Sequence, residues 1–283
     1  MADIRAIGRR IKGIKNIAKI TKAMEMIAAS KMKRAQERGL AGRPYSEMIQ
    51  QVIADLAALP EAGHYPLLQK RPVARIAIVI ITPDRGLCGG LNGSINRLVS
   101  NFILEQKVPV TLITVGRKGR DFMVRTGRDV RAEFIQLGDH PRLLDTLSIP
   151  HIIIDDYSKC LVDQVYLAYA QFISTAHQKP VIKQLLPVEP AVILREQNVD
   201  YIYEPDPDAV LNELLPRFVE MQVYHAILES IASEQSARMV AMRNATDNAG
   251  ELTEGLTLVY NKARQESITK ELLDIAGGVA ALS

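Results

Sequence analysis

Both ends of this chain carry apolar residues at helical spacing over stretches nearly free of proline, and that pattern leaves few architectures open. From Asp3 to about Leu59 the only proline is Pro44, and Ile4, Ile7, Ile11, Ile14, Ile17, Ile20, Met24 and Ile27 fall at steps of three and four. Such spacing places apolar side chains along one face of a helix. Three consecutive three-steps between Ile11 and Ile20 predict a stripe wider than a two-stranded seam, with more than one surface packed against it. Gly8, Gly13, Gly39 and Gly42 each weaken a helix interior by about 1 kcal/mol, so tertiary packing has to hold this arm.

The other end repeats the arrangement. From about Asp208 to Leu282 the only proline is Pro216, and Leu228, Ala232, Gln235, Met239, Met242, Ala245, Ala249, Leu252, Leu256, Val259 and Ala263 trace a second seam. The extra three-step from Met242 to Ala245 predicts local overwinding. Two striped helices at opposite ends bury their stripes most simply against each other, as an antiparallel coiled coil.

The middle differs in kind. Arg75–Thr82 and Val110–Val115 are β-branched runs suited to buried parallel strands. Helical stretches near Ser94–Gln106 and Arg117–Arg125 separate them from further strands at Asp129–Ile135 and Gln164–Phe172, while Ile149–Asp155 fits either a strand or a helix. Alternation of this type predicts a doubly wound α/β domain. The expected division is an N-terminal coiled-coil helix over 1–59, a central α/β domain over 60–207 and a C-terminal coiled-coil helix over 208–283.

Chemistry is scarce in this sequence. Asp84-Arg-Gly-Leu-Cys-Gly-Gly-Leu-Asn92 lies between a strand and a helix, where phosphate-binding loops sit, but it has neither the G-x-G-x-x-G spacing nor a G-K-[ST]. The simpler reading is a tight turn with Cys88 packed inside. The five histidines are scattered and the two cysteines lie far apart, so no metal site is expected. No G-x-S-x-G elbow occurs, and Asp155-Asp156, Asp206 and Asp208 read as solvated turns. No cofactor is expected.

Between Asp3 and Glu25 every charged residue is basic, although the whole chain carries only +3. Clustered cations suit nucleic acid or an anionic surface, yet Met1–Gly42 holds no aromatic ring on which a base could stack. No apolar run approaches the ~20 residues that span a bilayer, and the N-terminus enters a helical pattern without the apolar core of a signal peptide. A reducing cytoplasm is the expected compartment.

Three stretches narrow the function. Ile20-Thr-Lys-Ala-Met-Glu-Met-Ile-Ala-Ala-Ser-Lys-Met-Lys-Arg-Ala35, Ser233-Glu-Gln-Ser-Ala-Arg-Met-Val-Ala-Met242 and Tyr260-Asn-Lys-Ala-Arg-Gln-Glu-Ser-Ile-Thr-Lys-Glu-Leu272 closely resemble the γ subunits of F-type ATP synthases. The Asp84–Asn92 turn and Gln184-Leu-Leu-Pro187 look like that family too, so the resemblance runs end to end. It implies a fold of two terminal helices in a long antiparallel coiled coil with a central Rossmann-like α/β domain. It also implies a non-catalytic rotor that couples ion flow to ATP synthesis. The implied partners are the α and β subunits of the hexameric ring, the ε subunit and the c-subunit ring, with no nucleic acid and with membrane contact only through the complex.

By resemblance, Met24, Lys31, Lys33 and Arg34 match the region facing the acidic levers of β, and Arg264 with Gln265 match the pair that engages the β catch loop. Arg238, Thr269 and Glu271 fall in the stretch linked to energy coupling. The implied location is the cytoplasmic face of a bacterial membrane. Asp274 and Val279 stand where relatives commonly have Glu and Ala, and nothing between Leu186 and Asp206 supplies the regulatory cysteines of photosynthetic relatives. A nucleotide-dependent enzyme built on the central domain, or a basic-arm adaptor for nucleic acid, are the rival readings.

Overall fold

The computed structural model describes residues 2–57, 65–189, 204 and 206–282, and it contains two compact units. One comprises Met1–Ala28 and Met239–Ser283, the other Ala29–Arg238. Both boundaries fall inside long helices, α1 (Ala2–Ala57) and α6 (Pro207–Leu282). Pro44 and Pro216 are carried within these helices.

In the larger unit, five strands form one sheet: β1 (Ile76–Ile81), β2 (Val110–Val115), β3 (Val130–Phe134), β4 (Gln164–Phe172) and β5 (Gln178–Leu186), in the order β3-β2-β1-β4-β5. β1 pairs in parallel with β2 and β4, and β2 in parallel with β3. α2 (Leu91–Glu105), α3 (Arg117–Arg125), the single turn α4 (Leu143–Thr146) and α5 (Ser148–Ser158) make the crossovers. The ambiguous Ile149–Asp155 segment is thus helical, since Ile149, Ile153 and Tyr157 recur at helical spacing and all three are buried.

The sheet is mixed, not wholly parallel. β5 runs antiparallel to β4 and forms an edge, a strand that the sequence reading missed. Its Lys, Gln and Pro residues break any apolar run, and Pro180 is tolerated because an edge strand needs only one side of its backbone paired.

Strict alternation along β1 supplies two cores. Ile76, Ile78 and Ile80 pack with Leu91, Ile95, Val99 and Ile103 of α2 and with Met123 of α3. Ala77, Val79 and Ile81 face a cluster that includes Ile149, Ile153 and Tyr157 of α5, Ile49, Ile53 and Leu56 of α1, and Leu211, Leu215, Val219 and Val223 of α6. The long helices therefore contribute directly to the sheet's core.

The smaller unit is an antiparallel helix pair. Gly8 lies beside Tyr260, Thr21 beside Thr246 and Glu25 beside Arg243, so position numbers rise along one helix as they fall along the other. Its seam differs from the expected stripe: Ile17, Ile20 and Ile27 are more than half exposed, while Thr21, Glu25 and Ala28 are buried and Ala18 is half-buried. Positions 4, 7, 11, 14, 18, 21, 25 and 28 alternate three- and four-steps, which is the regular heptad of a two-stranded seam.

α6 answers in kind, with Met242, Thr246, Ala249, Thr253, Leu256, Tyr260 and Ala263 inward while Leu252 and Val259 are exposed. The seam passes through Thr246, so the predicted extra three-step from Met242 to Ala245 is absent. Thr246, Thr253 and Thr257 donate their hydroxyls to the carbonyls four residues back at 2.9, 2.7 and 2.6 Å, which lets polar side chains occupy or flank a packed seam.

Candidate coupling surfaces

The turn after β1 is consumed by its own architecture. One carboxylate oxygen of Asp84 accepts the Arg117 backbone N–H at 2.9 Å and the other accepts that of Gln136 at 2.9 Å, joining the loops that follow β1, β2 and β3. Gly116 has φ +96°, and a Cβ there would lie 1.8 Å from the Thr82 carbonyl oxygen. Cys88 is buried, and burial pushes its thiol pKa up, away from a reactive thiolate. Among the described residues no cluster of His, Cys, Asp and Glu could hold a metal, and no helix is long and apolar enough to cross a membrane.

Beside that turn lies Arg238, whose side chain is only 11% exposed. Its guanidinium donates to the Gly86 carbonyl at 3.2 Å and pairs with Glu234 one helical turn earlier at 2.6 Å. Burial pushes the Glu234 pKa up even though Arg238 pulls the other way. Arg238 is therefore a tie between α6 and the β1–α2 turn, with little surface to offer another chain. Ser233 and Ser236 add two further ties, to the carbonyls of Ala170 at 2.8 Å and Thr175 at 2.7 Å.

Lys31 is also engaged within the chain. Its ammonium donates to Asp139 at 2.7 Å, and the other oxygen of Asp139 accepts from the Gln235 side chain at 3.3 Å. Burial raises the Asp139 pKa, but the hydrogen bond and charge of Lys31 outweigh it, and the carboxyl sits below its ordinary range. The sequence reading did not single out Asp139. Its only local signal is Gly138-Asp-His140, a loop-like triplet with Gly138 at φ +80°, and its partners lie about a hundred residues away in both directions.

The remaining residues singled out by resemblance are open to solvent. Lys33 and Arg34 are exposed, and Lys33 makes only a loose 3.9 Å contact with Glu37. Met24 is half-buried, on the same outer face of α1 as the exposed Ile17, Ile20 and Ile27. Arg264, Gln265, Thr269 and Glu271 are all exposed on α6, where Glu271 accepts the Ser267 hydroxyl at 3.4 Å. Leu272, Leu273 and Ile275 follow, each more than 60% exposed. Cationic and large apolar side chains are thus left exposed side by side on both long helices.

A helix pair with such exposed faces, and a sheet domain whose turns serve its own packing, define the class of a structural subunit. The comparisons narrow that class. The family model described as ATP synthase matches residues 3–282, and the chain belongs to this family. It is 67% identical over 285 residues to the ATP synthase gamma chain of Dehalococcoides mccartyi strain 195, all of both chains being covered. It is 52% identical to the ATP synthase gamma chain of Roseiflexus sp. strain RS-1, with 100% of this chain and 99% of that one covered.

Among solved structures, a chain of the central stalk and c-ring of the Tetrahymena thermophila mitochondrial ATP synthase is similar at TM-score 0.62 and 29% identity, over 80% of this chain and 99% of that one. A chain from the Euglena gracilis mitochondrial OSCP/F1/c-ring assembly matches at TM-score 0.68, over 99% of this chain and 95% of that one, and its 21% identity supports the fold alone.

Proposed function

We propose that this chain is the central rotor shaft of an F-type ATP synthase, carrying ion-driven rotation to catalytic sites on other chains. The observation that carries the proposal is the full-length 67% identity to an ATP synthase gamma chain. The exposed Arg264–Glu271 face of α6 supports it. On this reading Arg264 and Gln265 engage β, Met24, Lys33 and Arg34 face its levers, and Thr269 and Glu271 belong to the same working surface. Arg238 acts from inside, by fixing α6 to the sheet domain. The α and β subunits form the surrounding ring, ε and the c ring are the remaining partners, and the complex lies on the cytoplasmic face of a bacterial membrane.

Exposed cations are suited to the task because each exposed ion pair contributes only about 0–1 kcal/mol, so successive contacts form and break as the shaft turns. The test is the Mg-ATPase rate of purified α and β subunits with and without this chain. The chain alone is inert, and adding it produces steady hydrolysis. With Arg264→Ala and Gln265→Ala together that rate falls about fivefold, the equivalent of about 1 kcal/mol. Hydrolysis by the isolated chain, or no effect on α and β, refutes the proposal.

A further inference from the structure

We infer that Asp139 is a positioning residue for energy coupling, a clasp through which the sheet domain holds α1 and α6 at a fixed angular setting. The inference rests on the rotor reading above and adds to it the place where the helices are gripped.

The geometry is specific. Asp139 sits in the loop after β3, with one carboxylate oxygen on Lys31 of α1 at 2.7 Å and the other on Gln235 of α6 at 3.3 Å. One carboxylate thus bonds to both long helices within the larger unit. Gln235 is 2% exposed, so its amide has no ready substitute in water. Three residues further along α6, Arg238 makes the second tie, to Gly86 in the loop after β1. Both anchoring loops follow the C-terminal ends of parallel strands, so α6 is held at two points along one edge of the sheet.

Apolar burial between these elements is extensive but non-directional, and it resists separation better than it resists rolling of a helix about its axis. Hydrogen bonds to a carboxylate weaken steeply with angle, so they resist the rolling. A shaft under torque needs the second property.

The experiment uses the complete complex in inverted membrane vesicles from a strain lacking its own copy of this subunit. ATP hydrolysis and ATP-driven membrane potential, read with an oxonol dye, are both measured per assembled complex. Asp139→Asn keeps the size of the side chain and removes its charge. The expected result is hydrolysis within about twofold of wild type and potential generated per ATP lowered about threefold or more, the scale of losing a partly exposed bond to a charged group.

Gln235→Leu, which leaves Lys31 and every exposed residue in place, shows the same split. The charge swap Lys31→Asp with Asp139→Lys restores at least half of the lost potential. Unchanged potential per ATP in Asp139→Asn, or hydrolysis and potential falling in proportion, overturns the clasp. If Asp139→Asn does not assemble, Gln235→Leu decides by the same criterion. Failure of the wild-type chain to restore hydrolysis and potential refutes the rotor reading itself, so the two failures are told apart.

Discussion

Glu25 is a carboxylate built into a coiled-coil seam, and breaking its bonds tests how the smaller unit is held. Its side chain is 8% exposed and accepts from Lys22 of the same helix at 2.9 Å and from Arg243 of the opposite helix at 3.0 Å. Fully buried, a hydrogen bond between charged groups contributes about 1.5–3 kcal/mol. Here the cationic side chains are 56% and 58% exposed, and solvent screening reduces each bond to about 1 kcal/mol. Glu25→Gln is therefore expected to cost about 2 kcal/mol, and a double-mutant cycle with Arg243→Gln should isolate about 1 kcal/mol of coupling.

The hydrogen bond from Lys22, then that from Arg243, hold the Glu25 pKa below its ordinary value of 4.5 against the opposing effect of burial. A carboxyl whose pKa is lower folded than unfolded stabilises the fold above the unfolded value, and that stability is lost as pH falls through the folded one. The assay is hydrogen exchange over residues 18–28 and 240–249, which reads opening of this unit without requiring the whole chain to unfold together. Wild-type protection should fall towards that of Glu25→Gln as pH drops below about 4. Coupling under about 0.3 kcal/mol, or a difference between the two proteins that does not change with pH, refutes the reasoning.

Two further predictions concern the larger unit. Gly116→Ala, forced against the Thr82 carbonyl at a positive φ, should cost about 3 kcal/mol or more in thermal unfolding, whereas Gly93→Ala, with nothing within 4 Å, should be neutral or gain up to about 1 kcal/mol. Equal melting temperatures for the two variants would contradict the turn geometry. A thiol reagent such as dithionitrobenzoate should react with exposed Cys160 in the native chain and reach buried Cys88 only after denaturation. Release of two equivalents of chromophore under native conditions would refute this.

Much of the fold was legible before the structure. β-branched runs marked β1 and β2, the strand–helix alternation marked β3 and β4, and helical spacing marked both long helices. The seam of α1 was not legible, because hydrophobicity points to the wrong face: Ile17, Ile20 and Ile27 outrank Ala18, Thr21, Glu25 and Ala28 on any such scale, yet the latter four lie inward. Small residues let the helices approach closely, and the polar ones are satisfied by Thr246 and Arg243 across the seam. β5 was hidden because an edge strand needs no apolar run.

The candidate site divided along similar lines. Arg264, Gln265, Thr269 and Glu271 lie in motifs long enough to carry a resemblance, and they are exposed together. Asp139 belongs to no motif, and its importance arises only when folding brings Lys31 and Gln235 to it. Pairings across a hundred residues leave no periodic trace in a single sequence.

The threonines of α6 have a mechanical consequence. Thr253 and Thr257 return their hydroxyls to their own helix, and among the described residues only Thr21–Thr246 and Glu25–Arg243 bond across the smaller unit. Beyond Ala249, among the described residues, no side-chain hydrogen bond or ion pair joins the two helices. Cross-helix hydrogen bonding is therefore concentrated at one end of the pair, and among the described residues a twist applied past Ala249 meets packed side chains and no hydrogen bond between the helices.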